Sequence, residues 1–106
     1  DDDYAAIEIC KTAGLKTPEQ AWLCAFCLHL TGAHESAIET ARKAIELADA
    51  ERKTERMSFA NLWAHYEGPH DVIGRSAKAL GWSDLEQESA EAVYDAHSQR
   101  LRRLVA

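Results

Sequence analysis

The sequence predicts an all-α chain, a short stack of about six antiparallel helices arranged in pairs. Three observations predict it. Only 5 of the 106 residues are Gly and 2 are Pro, too few to turn a β-sandwich. Apolar residues recur at three- and four-residue spacing, and no useful stretch alternates apolar with polar. Helix caps and Gly stops follow one another at short intervals, so successive helices should lie antiparallel.

The elements follow in order. Asp3 can cap a first helix to about Ala13, with Tyr4, Ile7 and Cys10 on its apolar side and Gly14 as its stop. Thr17-Pro18-Glu19-Gln20 opens the second. Thr17 caps, Pro18 suits the first helical position and Gln20 completes a capping box. From Ala21 to Leu30 that helix is apolar almost all round, which predicts a central position, and Gly32 ends it. A third helix is expected from His34 to Arg52, its inward stripe being Ala37, Ile38, Ala41, Ala44, Ile45 and Ala48. A fourth runs from about Glu55 to Glu67, with Phe59, Leu62, Trp63 and Tyr66 inward and Gly68-Pro69 as its stop. A fifth covers about Pro69 to Leu80 and turns Val72, Ile73, Ala77 and Leu80 inward before Gly81. Ser83-Asp84-Leu85-Glu86 reads as a second capping box and opens the sixth. That helix carries Leu85, Ser89, Ala92, Val93, Ala96, Leu101 and Leu104 on one side.

Hydrophobic residues make up 46% of the chain, enough for the core of one modest domain spanning 1–106. The net charge of -6 argues against a domain that grips nucleic acid over its whole surface. Three cysteines, an odd number in apolar surroundings, argue against a disulfide framework and for a reducing intracellular compartment. The start, Asp1-Asp2-Asp3, lacks the basic and apolar runs of a secretory leader and leads us to expect a piece of a longer protein. No apolar run reaches the length of a membrane span.

The helices also repeat. Trp22 and Trp63 stand 41 residues apart, and Lys43 and Lys78, in similar Ala-rich second helices, stand 35 apart. Helix pairs of this size bury their apolar faces by stacking. The stretch from Ala37 to Leu47 resembles the second helix of a tetratricopeptide repeat. Trp63-x-x-Tyr66-Glu67 resembles the first helix of the half-a-tetratricopeptide repeat. In order, the features resemble the C-terminal repeats of the ribosomal RNA-processing protein 5 family. These are an apolar Trp helix ending in His-Leu (Trp22, His29, Leu30), an Ala-Arg helix (Ala41, Arg42), then a charged stretch leading to Asn-x-Trp (Asn61, Trp63). The likeness covers about residues 4 to 80. The sixth helix has no counterpart, and Gly68-Pro69 stands where the family's helix continues. The resemblance implies a nucleolar, non-catalytic scaffold in pre-ribosomal RNA processing and small-subunit assembly. Its partners would be other assembly proteins, with RNA as a further contact. The alternative is a generic tetratricopeptide-like adaptor, or a self-associating helical bundle, with no RNA role.

Candidate sites are few. The repeat-motif positions are Trp22, His29, Ala41, Arg42, Trp63 and Tyr66, all at spacings that suit packing. Partner or RNA contacts are expected at Arg100, Arg102 and Arg103, and at Arg52, Lys53 and Arg56, where clustered cations could meet phosphates or an acidic surface. Cys24-x-x-Cys27 sits inside an apolar helix with no second pair, so buried core thiols are expected rather than a zinc or redox centre. His29 reads as a core or helix-end histidine bonded to backbone. The other histidines, including His70 beside Asp71, form no recognisable catalytic arrangement with Ser76 or Ser83. Trp82 is expected to plug the end of a helix pair, the alternative being an exposed partner anchor. No enzyme activity, cofactor, metal or small-molecule substrate is expected.

Overall fold

The computed structural model describes residues 8, 10, 12, 14–52 and 66–105, with backbone alone at 52 and 103–105. Among the described residues there is no strand, and four helices follow in order: α1 Pro18–Leu30, α2 His34–Arg52, α3 Gly68–Leu80 and α4 Ser83–Val105. They correspond to the second, third, fifth and sixth predicted helices. The first predicted helix lies mostly outside the described residues, although 8, 10 and 12 are helical. The fourth, with Phe59 and Trp63, lies outside them except for Tyr66 and Glu67.

Local chemistry sets the boundaries. Thr17 accepts from the Gln20 backbone N–H at 3.2 Å, and the Gln20 side chain accepts from the Thr17 backbone, so the capping box is formed. Gly32 (φ 88°) and Gly81 (φ 77°) take the left-handed conformation that ends α1 and α3. After each, the next N–H bonds back across the turn: Ala33 to the Leu28 carbonyl at 2.9 Å and Trp82 to the Ala77 carbonyl at 2.8 Å. Two expectations are corrected. The Glu86 N–H bonds to the Trp82 carbonyl at 3.0 Å, so Ser83 occupies the first turn of α4 rather than its cap. Gly68-Pro69 is not a stop. Tyr66 and Glu67 are π-helical, and Glu67 keeps helical dihedrals (φ -61°, ψ -47°) into α3.

The core joins α1, α2 and α3. Ala25 and Leu28 meet Ala37, Ile38 and Ala41, and these meet Val72, Ile73 and Ala77. The Ala stripe of α2 is buried as its spacing predicts, with Ile45 half-buried. Small residues let the axes approach, and Ile38, Val72 and Ile73 fill the gaps. Among the described elements, α4 packs on α3 alone. Gly74 makes that approach close, since a Cβ there would lie 3.2 Å from the Ser89 Cβ. The molecule is 46 × 31 × 19 Å, its thinnest dimension about two helix diameters.

One expectation fails here. α1 is not central. Its inward arc is Ala21, Ala25 and Leu28, while Leu23, Phe26 and Leu30 point away from the body and are exposed, Leu30 to 67%. An apolar composition does not say how many sides of a helix have neighbours, and among the described elements α1 packs on α2 and α3 through its inward arc.

Candidate functional site

Leu23, Phe26 and Leu30 stand at i, i+3 and i+7, so they form one stripe about two turns long on the outer face of α1. No Lys, Arg or Asp lies anywhere in α1, and its only carboxylate is Glu19 in the first turn. The stripe is therefore apolar and uncharged along its length. Isolated exposed leucines are ordinary, but three in register on an uncharged helix face are the pattern of a contact surface.

The inward side of α1 leads to a second cluster. His29 Nδ1 lies 2.8 Å from Ser76 Oγ, and His34 Nδ1 lies 3.3 Å from the same oxygen. The rings are 5.1 Å apart, and Ser76 is 0% exposed. His29 thus reaches a side chain of α3 rather than backbone, which corrects the sequence expectation. One hydroxyl can donate to one ring and accept from the other, or accept from both. The trio ties the ends of α1, α2 and α3 together. A fully buried hydroxyl is closed to substrate, so this geometry orders helices and does not make a nucleophile.

Beside it, a groove of about 590 Å³ runs between α3 and α4, lined in part by His29, His70, Arg75, Lys78 and Glu86. Arg75 Nε donates to Asp71 Oδ2 at 2.8 Å, which neutralises that wall. Burial holds His29 below its ordinary value, helped by His34 and Arg75 and opposed by Asp71. Burial likewise lowers His70, opposed by Asp49. The groove carries both signs of charge and no preference for either.

At the far end of α3, Glu67 is 1% exposed and bonds to Arg100 of α4 through both carboxylate oxygens. His97 Nδ1 lies 3.2 Å from Glu67 Oε1 and 2.9 Å from Arg100 Nη2. Arg100, expected at a partner or RNA contact, is instead turned inward onto a buried carboxylate. A charge that deep needs a paired charge, and Arg100 supplies it. Glu67 carries no sequence signal beyond its place before Gly68-Pro69.

The other sequence candidates fall as follows. Arg102 is exposed on α4. The side chains of Arg52 and Arg103, and Lys53, Arg56 and Trp63 entirely, lie outside the described residues. Ala41 is buried in the core, and Arg42 is exposed on α2. Tyr66 packs by Ala48 and donates its hydroxyl to Asp49 Oδ1 at 2.9 Å. Trp22 is half-buried against Gly68, and its indole N–H is buried without an acceptor among the described residues. Trp82, expected to plug a helix pair, is 44% exposed, and Phe26, on the helix expected to be central, faces solvent. Cys24 and Cys27 are half-buried rather than core.

Among the described residues no cluster of three or more His, Cys, Asp or Glu is placed to hold a metal ion, and no helix is long and apolar enough to cross a membrane. No family model, curated protein or solved structure matches the chain.

Proposed function

We propose that this chain is a non-catalytic helical scaffold that works by docking an amphipathic helix of a partner protein along the outer face of α1. The observation that carries the reading is the stripe of Leu23, Phe26 and Leu30. Its i, i+3, i+7 register suits a helix laid in parallel, and its lack of charge suits an apolar partner face rather than a phosphate backbone. Desolvating three large apolar side chains is worth about 25 cal/mol per Å² buried, enough to anchor a helix when the partner supplies complementary residues.

The cellular setting proposed is small-subunit ribosome assembly in the nucleolus, with assembly proteins as partners. It rests on the sequence resemblance of the Trp22, His29, Ala41-Arg42 and Trp63 pattern. The stacked-pair, solenoid-like repeat belongs to the same proposal. RNA contact falls to the exposed Arg102 and the neighbouring basic residues, a smaller share of the work than the apolar stripe.

The test is affinity purification of the parent protein with the native stripe and with Leu23→Glu/Leu30→Glu. Small-subunit assembly factors should co-purify with the first and be depleted from the second. An unrelated, stable set of partners would remove the ribosomal setting. Equal recovery of all partners by both forms would remove the docking face. A concentration-dependent dimer of the native chain, abolished by the double substitution, would replace the partner helix with a second copy of this chain.

A further inference from the structure

The groove between α3 and α4 holds polar groups that the fold itself leaves unused. Ser89 of α4 lines it and is 3% exposed, yet its hydroxyl has no hydrogen bond among the described residues. Its Cβ faces Gly74, where an added Cβ would come within 3.2 Å. Alanine would make the same contact, so packing does not account for the oxygen. Among the described residues the one unpartnered side-chain polar atom sealed from solvent is Trp22 Nε1, so the Ser89 oxygen reaches an open surface. A nearly buried hydroxyl without a partner costs stability, which points to a partner from outside the chain.

The charges bordering the groove are also left apart. Lys78 on α3 and Glu86 on α4 face it from opposite walls, and neither side chain has an ion pair among the described residues. Arg75 stands three residues before Lys78 on the same wall. Its Nε holds Asp71 Oδ2 at 2.8 Å, which leaves the far edge of the guanidinium for a second carboxylate. On α4, Ser89 stands three residues after Glu86, so hydroxyl and carboxylate share a wall. A lone anion in the groove meets Glu86 and Asp71, and a lone cation meets Lys78 and Arg75. A molecule carrying both charges satisfies both walls. Gly74, Ala90 and Val93 add small and apolar surface, and burial favours the uncharged ring of His70. The volume of about 590 Å³ lies in the range of small-molecule sites.

We infer that this groove binds a free α-amino acid with a large apolar side chain. Its carboxylate meets Lys78 and Arg75, its ammonium meets Glu86 and donates to the Ser89 hydroxyl, and its side chain lies over Gly74, Ala90 and Val93. The site stands apart from the outer stripe of α1, and the inference is independent of the docking proposal.

The test titrates L-phenylalanine, its N-acetyl form and its amide into the isotope-labelled full chain, following backbone amide shifts and heats of binding. The free amino acid should bind and shift the amides of Gly74, Ser89 and Ala90. Capping either end should weaken binding about tenfold or more, the loss of one charge-assisted hydrogen bond. Glu86→Gln should weaken the free amino acid by a similar factor and the N-acetyl form no further. Lys78→Gln should weaken the free amino acid and spare the amide. Ser89→Ala should also weaken binding, at an equal or higher melting temperature, because an unpartnered hydroxyl is lost. Leu23→Glu/Leu30→Glu should bind phenylalanine as the native chain does, so failure of the stripe and failure of the groove are read separately. No shift up to the solubility limit of phenylalanine, or equal binding of all three compounds, would overturn the inference. Ser89 also borders a smaller recess of about 320 Å³ on the α2 side, with Ile45 and Leu85. Shifts confined to Ile45 and Leu85 would place the ligand there and overturn it as well.

Discussion

Among the described residues, Glu67 and Arg100 form a buried ion pair whose loss has a large consequence. Removing Arg100 leaves a carboxylate that is 1% exposed without its cation, so Arg100→Ala should cost about 3 kcal/mol, read as a lower urea midpoint. Replacing both, as Glu67→Gln with Arg100→Leu, should restore most of that loss, because a neutral amide is cheaper to bury than an orphaned charge. A double variant no more stable than Arg100→Ala would show that packing, and not charge, sets the cost. The histidines give a second prediction at this scale. His29 and His70 are lowered from 6.5 in the folded chain, so the unfolded chain binds more protons in acid. Their contribution is fully present above about 6.5 and is lost as pH falls through the lowered folded values. Urea midpoints should hold steady from pH 8 to 7 and fall as the pH drops below about 6.5. His29→Asn should flatten that fall, and a midpoint that rises on acidification would contradict the cause.

At the scale of the element, the close approach of α1 and α3 depends on one missing side chain. A Cβ on Gly68 would overlap the rigid indole of Trp22, coming within 2.6 Å of Cε2. The ring cannot swing aside without moving the helix it belongs to. Gly68→Ala should therefore destabilise the fold by about 1–3 kcal/mol, although alanine is ordinarily the better helix former. The pairing of Gly68→Ala with Trp22→Phe should recover part of the loss, since the smaller ring lacks the overlapping atoms. Independent, additive costs in that cycle would remove the steric account. The π turn at Tyr66 and Glu67 belongs to the same arrangement. It carries the chain into α3 past Pro69 while Glu67 turns inward to Arg100.

For the whole molecule, exposure of the α1 stripe separates folding from binding. Leu23 and Leu30 contribute little to the core, so Leu23→Glu/Leu30→Glu should change stability by no more than about 0.5 kcal/mol per site while abolishing the partner contact. Matching circular dichroism and melting curves would accompany the loss. A collapse of the fold in this variant would mean that the stripe is structural. α4, packed on α3 alone among the described elements, is the element expected to exchange its amide protons first. Its anchor to the rest is the Glu67–Arg100 pair together with the Gly74–Ser89 contact.

Helical class, the Thr17 cap, the stops at Gly32 and Gly81 and the buried Ala stripe of α2 could all be read from the sequence. Each is a local matter of backbone propensity, hydrogen-bonding end groups and side-chain period, settled within a few residues. The fate of Phe26, Trp82, Arg100 and Cys24 could not be read that way. An apolar residue is buried only if a neighbour covers it, and Arg100 turns inward only because Glu67, 33 residues earlier, lies beneath it. His29 and Ser76 are likewise 47 residues apart and meet only through packing. Local periodicity shows which face of a helix is apolar. Which apolar face remains uncovered is decided by how many neighbours the finished fold supplies, and in α1 that leaves Leu23, Phe26 and Leu30 facing outward.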